Sequence, residues 1–156
     1  MKSLLISLTV LTGVVTLTGC GGGGAATTPP TSTTSSTQMP GVQTQVAGGS
    51  YWIITPAQLA ALKRTDFFLV DVDDAPTIVI ASTDLFVKAS EIARNLSKFP
   101  TDKSRKIVVY CIVGNTSRSA AAQLVAAGYT QVMHLQGGVM NWQAQGYPVV
   151  SYTATT

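Results

Sequence analysis

Histidine occurs once in this chain and cysteine twice. A structural zinc site needs about four imidazole or thiolate ligands at short spacing, so zinc chemistry is excluded and no metal is expected. Charge is scarce as well: 11% of residues are Asp, Glu, Lys or Arg, and the formal net charge is +3. Removing Lys2 leaves +2, which gives no footing for nucleic acid or for an acidic partner. Beyond Lys2, every charged residue lies between Lys63 and Arg118, and the 38 residues after Arg118 carry none. That last stretch must be buried, or kept soluble by Gln, Asn, Thr and Ser. The apolar run at residues 4–17 is shorter than the roughly 20 residues that a membrane-spanning helix needs.

What the first fifty residues do contain reads as an address and an anchor. Met1-Lys2-Ser3 is a short basic start, the apolar run follows, and Leu17-Thr18-Gly19-Cys20 closes it. The order is that of a secretory signal. The segment resembles a bacterial lipoprotein signal with its lipobox, which implies that residues 1–19 are removed and Cys20 is lipidated. The acyl groups would place the chain on a lipid bilayer. Gly21 is not Asp, so in a diderm cell the expected address is the outer membrane, facing the periplasm. Residues 20–50 carry no charge and little to bury, so they are expected to be the lipidated cysteine and a disordered tether. As a flexible coil such a tether spans about 30 Å.

Once Cys20 is committed to lipid, Cys111 has no partner in the chain. A lone thiol outside the cytoplasm invites oxidation, which points to retention for chemistry. Its surroundings agree. Residues 106–111 read as a buried strand ending on Cys111, Ile112-Val113-Gly114-Asn115-Thr116-Ser117 as a tight loop, and residues 118–127 as a helix closed by Gly128. Backbone N–H groups at such a loop and helix start favour an anion, and a thiolate is one. Gly114 lets the backbone turn without a side-chain clash. Thr116 and Ser117 offer hydroxyl donors to a thiolate or persulfide. Arg118 brings a fixed charge, aimed either into the pocket or along the helix surface.

Around that segment strands alternate with helices. Strands are expected at 51–54, 67–72, 77–80 and 131–135. Helices are expected at 57–63, with Thr55 as N-cap, Pro56 in the first turn and Gln58 completing a capping box; at 89–96, capped by Ser90 or Thr83; and at 138–145. The class is α/β, one domain at 51–152, with a mainly parallel sheet flanked by helices. Ligands in such folds sit beyond the carboxyl ends of the strands, where Cys111 lies. His134, in an apolar run, reads as a satisfied strand histidine, Asp71 as a structural hydrogen-bond acceptor, and Trp142 and Tyr129 as core. Asp73-Asp74 reads as a turn before Pro76, and two carboxylates alone make no calcium site.

Val109-Tyr110-Cys111, Gly114-Asn115, Ser117, Gly128-Tyr129, Gly137-Gly138, Trp142 and Gly146-Tyr147-Pro148-Val149 together resemble the C-terminal half of a rhodanese domain. Thr55-Pro56 and the strand at 67–72 resemble its opening. The resemblance spans roughly residues 51–150. It implies a sulfurtransferase, or sulfur carrier, in which Cys111 takes a sulfane sulfur from a small donor such as thiosulfate. Cys111 would hold it as a persulfide in the loop Ile112, Val113, Gly114, Asn115, Thr116, Ser117 and Arg118 and pass it to a thiophilic acceptor. No cofactor is implied; a protein sulfur acceptor or a thiol reductant is a possible partner.

The sequence departs from the family pattern in its first half. Asp71-Val72-Asp73 stands where the family has Asp-Val-Arg. The segment from Val79 to Asp84 replaces one rich in Gly, Pro and His, and Thr116 stands where many members carry Arg. A cysteine phosphatase shares a similar loop but needs Arg where this chain has Ser117. A second reading follows from the departures: a non-catalytic module of the same fold, presenting a partner surface at the cell envelope.

Overall fold

The computed structural model describes residues 39–153. The signal segment, Cys20 and the first part of the expected tether lie outside the described residues.

Among the described residues, eight strands and three α-helices follow one another as β1 (Val42–Val46), β2 (Gly49–Ile54), α1 (Pro56–Ala60), β3 (Phe67–Asp71), β4 (Ile78–Ile80), β5 (Leu85–Phe86), β6 (Lys106–Tyr110), α2 (Asn115–Ala126), β7 (Val132–Leu135), α3 (Gly138–Ala144) and β8 (Val149–Ser151). Six of the strands form one sheet in the order β1-β2-β7-β6-β3-β5, and β4 and β8 pair separately. Only the β1–β2 contact in the main sheet is antiparallel.

The α/β class follows from local signals that agree with one another. Thr55 caps α1 with its hydroxyl, Gln58 reaches back to the Thr55 N–H, and Pro56 fills the first turn. The central strands are apolar on both faces, as parallel strands covered by helices must be. Along β6 the alternation divides the core. Ile107, Val109 and Cys111 join the cluster under α2, with Ala120, Ala121, Leu124 and Val132. Val108 and Tyr110 join the opposite cluster, with Leu59 of α1 and Val139 and Trp142 of α3. Period two along one strand therefore aims Cys111 at α2.

Four expectations are corrected. Residues 42–50, expected in the tether, form a hairpin: Val42 pairs with Ile53 and Val46 with Gly49. Its turn is Ala47-Gly48, with Gly48 at φ +87°. The segment is polar because β1 is an edge strand, and its order comes from pairing with β2. The segment 89–96 is not an α-helix but two 3-10 turns, Ala89–Arg94 and Leu96–Lys98; buried Ala89 and Ile92 stand three apart, matching the 3-10 repeat. No side chain caps it, and the Thr83 hydroxyl instead donates to Ile80 O at 2.7 Å. The strand at 78–80 is outside the main sheet and pairs antiparallel with β8. Finally, α2 starts at Asn115 and not Arg118: Gly114, at φ +92°, turns the chain early enough to put Thr116 and Ser117 in the first helical turn.

Candidate active site

Cys111 follows directly on β6, at the carboxyl edge of the sheet. It is a free cysteine and 1% exposed. The Gly114 N–H donates to its sulfur at 3.1 Å, and Ser117 Oγ stands 3.6 Å from it. Both contacts depend on the early start of α2, because Ser117 reaches the sulfur only from the first helical turn. Ser117 is fully buried, whereas Asn115, Thr116 and Arg118 are exposed. Of the expected loop, Gly114 and Ser117 are thus brought to the sulfur. Ile112 is half-buried, and Val113 is open to solvent. Arg118 is exposed, and its charge reaches the buried His134.

The loop is held from two sides. Val139 N donates to Cys111 O at 2.9 Å and Met140 N to Ile112 O at 3.1 Å, so the free N–H groups of the first turn of α3 satisfy the loop carbonyls. Gly138, at φ +61°, permits this approach, because a side chain there would overlap the Cys111 carbonyl oxygen. From the other side Asp73 Oδ2 accepts from Ile112 N at 3.1 Å. From sequence Asp73 is part of a turn and a departure from the family's Arg, not a support for the cysteine loop. No local pattern in the sequence marks it, since its partner is 39 residues away.

Asp71 behaves as an acceptor at the strand end, taking the Asp73 N–H at 2.9 Å. Burial pushes its carboxyl up to about 6, against the lowering effect of that hydrogen bond. Burial likewise raises the Tyr110 hydroxyl, which contacts Thr83 Oγ1 at 2.6 Å.

His134 is fully buried on β7, and its Nδ1 lies 2.9 Å from Ser117 Oγ. Burial, with a smaller push from the Arg118 charge, lowers its imidazole to about 4, so it is neutral at pH 7. The expectation of a satisfied strand histidine is met at Nδ1 only; Nε2 has no hydrogen-bond partner among the described residues. Its link to the cysteine was missed. The signal that could have found it is register: Val109 pairs with His134 in parallel strands, and Cys111 follows two residues later on the same face.

A cleft of about 550 Å³ is lined by Asp73, whose carboxylate also holds the Ile112 N–H, and by Asp74, Lys88, Glu91, Phe86 and Tyr152. Among the described residues no group of three or more His, Cys, Asp or Glu is placed to hold a metal.

Residues 55–145 match the family model described as "Rhodanese-like domain". A thiosulfate sulfurtransferase GlpE of Pseudomonas savastanoi pv. phaseolicola is 38% identical over 97 residues, covering 61% of this chain and 89% of that protein. A protein named sulfurtransferase from Allochromatium vinosum is 39% identical over 56 residues, covering 36% of this chain and 50% of that protein. Among solved structures, a rhodanese-related protein from Thermoplasma volcanium is 26% identical, with a TM-score of 0.53, covering 62% of this chain and 95% of that one.

Proposed function

The chain belongs to the rhodanese-like domain family, and from that premise we propose that it is a sulfurtransferase of the thiosulfate type with Cys111 as the nucleophile. The observation that carries the reading is the sulfur itself. It ends a central parallel strand, accepts an N–H from Gly114 and touches the hydroxyl of Ser117 in the first turn of a helix. A backbone N–H and a hydroxyl at the sulfur are the groups that can hydrogen-bond it when it reacts as a nucleophile.

In the first half-reaction the Cys111 thiolate attacks the sulfane sulfur of thiosulfate. The donor S–S bond breaks, sulfite leaves with the bonding pair, and Cys111 carries a persulfide anion. In the second a nucleophilic acceptor such as cyanide attacks the outer sulfur; thiocyanate leaves and the thiolate returns. No cofactor enters either step. The donor and acceptor used in the cell are open to this scheme, and a protein thiol can serve as acceptor or reductant. We place the domain at the cell envelope, tethered by lipid on Cys20 and facing the periplasm in a diderm cell. The Leu17-Thr18-Gly19-Cys20 pattern supports that location.

The test is cyanolysis by the reduced full chain, with thiosulfate and cyanide supplied and thiocyanate read against Cys111→Ala. Turnover lost with Cys111 is expected. Turnover that survives Cys111→Ala removes the assigned nucleophile. Absence of both turnover and persulfide mass moves the chain to the non-catalytic reading.

A further inference from the structure

Ser117 has one hydroxyl proton and three neighbours for it. Sγ of Cys111 is at 3.6 Å, Gly114 O at 3.3 Å and His134 Nδ1 at 2.9 Å. Which neighbour receives the proton depends on the imidazole. With the ring proton on Nε2, Nδ1 is an acceptor and takes the Ser117 hydroxyl for itself, leaving the sulfur only the Gly114 N–H. That tautomer also buries an Nε2–H with no acceptor. With the proton on Nδ1, the ring donates to Ser117 Oγ, and the hydroxyl is left to Gly114 O or the sulfur, of which a thiolate is the stronger acceptor. Nε2 is then a bare acceptor, and a buried donor left unpaired is the rarer and costlier case.

We infer that His134 is a positioning residue for the sulfur chemistry of Cys111: as the neutral Nδ1–H tautomer it donates to Ser117 and so turns the Ser117 hydroxyl toward Sγ. A sulfur anion has no proton to give Ser117, so the 3.6 Å contact then runs from the hydroxyl to the sulfur, beside the Gly114 N–H at 3.1 Å. The inference rests on the sulfur-transfer reading for its purpose, while its geometry stands without it.

Packing ties the same residues together. A side chain on Gly114 would lie 3.3 Å from His134 Cε1 and 3.0 Å from Gly137 N, so the glycine that donates to the sulfur is also the one that leaves room for the ring. Tyr51 of β2 meets the imidazole edge to face at 6.3 Å. The charged or titratable groups recorded against this unit are Cys111, Arg118 on α2 and Tyr51 on β2. Of these, none hydrogen-bonds the ring among the described residues. Burial keeps the ring uncharged near pH 7, so it acts as an oriented donor and not as a proton store.

The test is the alkylation rate of Cys111 in the full chain at pH 7 with iodoacetamide, read by peptide mass spectrometry. His134→Leu is expected to slow it about tenfold, the effect of one hydrogen bond to an anion. His134→Asn, whose amide N–H can stand near Nδ1, is expected to restore it to within about twofold. Ser117→Ala is expected to slow it similarly, and adding His134→Leu to Ser117→Ala to slow it no further, since the ring acts only through the hydroxyl. Wild-type rates in His134→Leu, or a further tenfold loss in the double variant, overturn the inference.

If His134→Leu does not fold, the unsubstituted chain decides. Its single histidine gives one ¹⁵N imidazole spectrum. A protonated Nδ1 with a bare Nε2 is expected, and the reverse overturns the inference. Neither readout uses turnover, so a chain that fails cyanolysis can still pass or fail here.

Discussion

Gly138→Ala separates backbone conformation from loop support. Gly138 has φ +61°, and a methyl there would overlap the Cys111 carbonyl oxygen and lie 2.6 Å from Ile112 O. An alanine at positive φ costs about 1–2 kcal/mol. Relieving the overlap also separates α3 from the loop and breaks the two bonds at 2.9 and 3.1 Å from Val139 N and Met140 N, about 1 kcal/mol each. The expected loss is about 3–4 kcal/mol. Gly128→Ala is the control: its φ is +90°, but nothing lies within 4 Å of an added methyl, so only the conformational cost applies. With a urea slope of about 2 kcal/mol/M, Gly138→Ala should move the unfolding midpoint down by about 1.5–2 M and Gly128→Ala by less than about 1 M. Equal midpoints for the two variants would refute the claim that α3 and the cysteine loop brace each other.

Stability against pH should show two buried groups opposing each other. Asp71, raised to about 6, contributes stability below its unfolded value that is lost as pH rises through 6; His134, lowered to about 4, contributes stability above 6.5 that is lost as pH falls through 4. Each is worth about 3 kcal/mol, so together they nearly cancel between pH 4 and 6.5. Asp71→Asn should therefore gain about 3 kcal/mol in urea unfolding from pH 4 to 6.5, and a curve as flat as the wild type's contradicts the assignment. Asp74→Asn with Glu91→Gln should lower KM for thiosulfate about two- to threefold at low salt, an effect that fades near 1 M salt; an unchanged KM means the donor does not pass the acidic cleft. Cys20→Ser should release the protein from membranes on fractionation, and continued co-sedimentation with lipid places the anchor elsewhere.

What could be read in the sequence was local. The buried strand ending before Cys111, the Thr55–Gln58 capping box and the backbone turn at Gly114 each act within a few residues, and each formed as expected. What could not be read is set by partners distant along the chain. Residues 42–46 are too polar to signal a strand alone and acquire order from β2. His134 owes its place under the cysteine loop to strand register, and Asp73 gains its role by bonding a backbone 39 residues away. The start of α2 was misplaced by three residues, enough to leave Ser117 in the loop when its position on the first helical turn is what brings it to the sulfur.

The departure at Asp73 changes electrostatics without loosening the loop. Where the resemblance leads one to expect a cation, a carboxylate accepts from Ile112 N and at the same time lines the neighbouring cleft with Asp74 and Glu91. Lys88 is the only cation among the residues that line this cleft, and Arg118, exposed on α2, is not among them. A dianionic donor that enters this cleft meets repulsion, while an uncharged or thiol-bound sulfane sulfur does not. Charge at the mouth and support of the loop are therefore coupled in one side chain. Removing the charge at Asp73 also disturbs the bond to Ile112 N, whereas Asp74 and Glu91 can be neutralised without touching the loop. The difference between those two kinds of substitution is what separates selection of the sulfur donor from the architecture that holds Cys111.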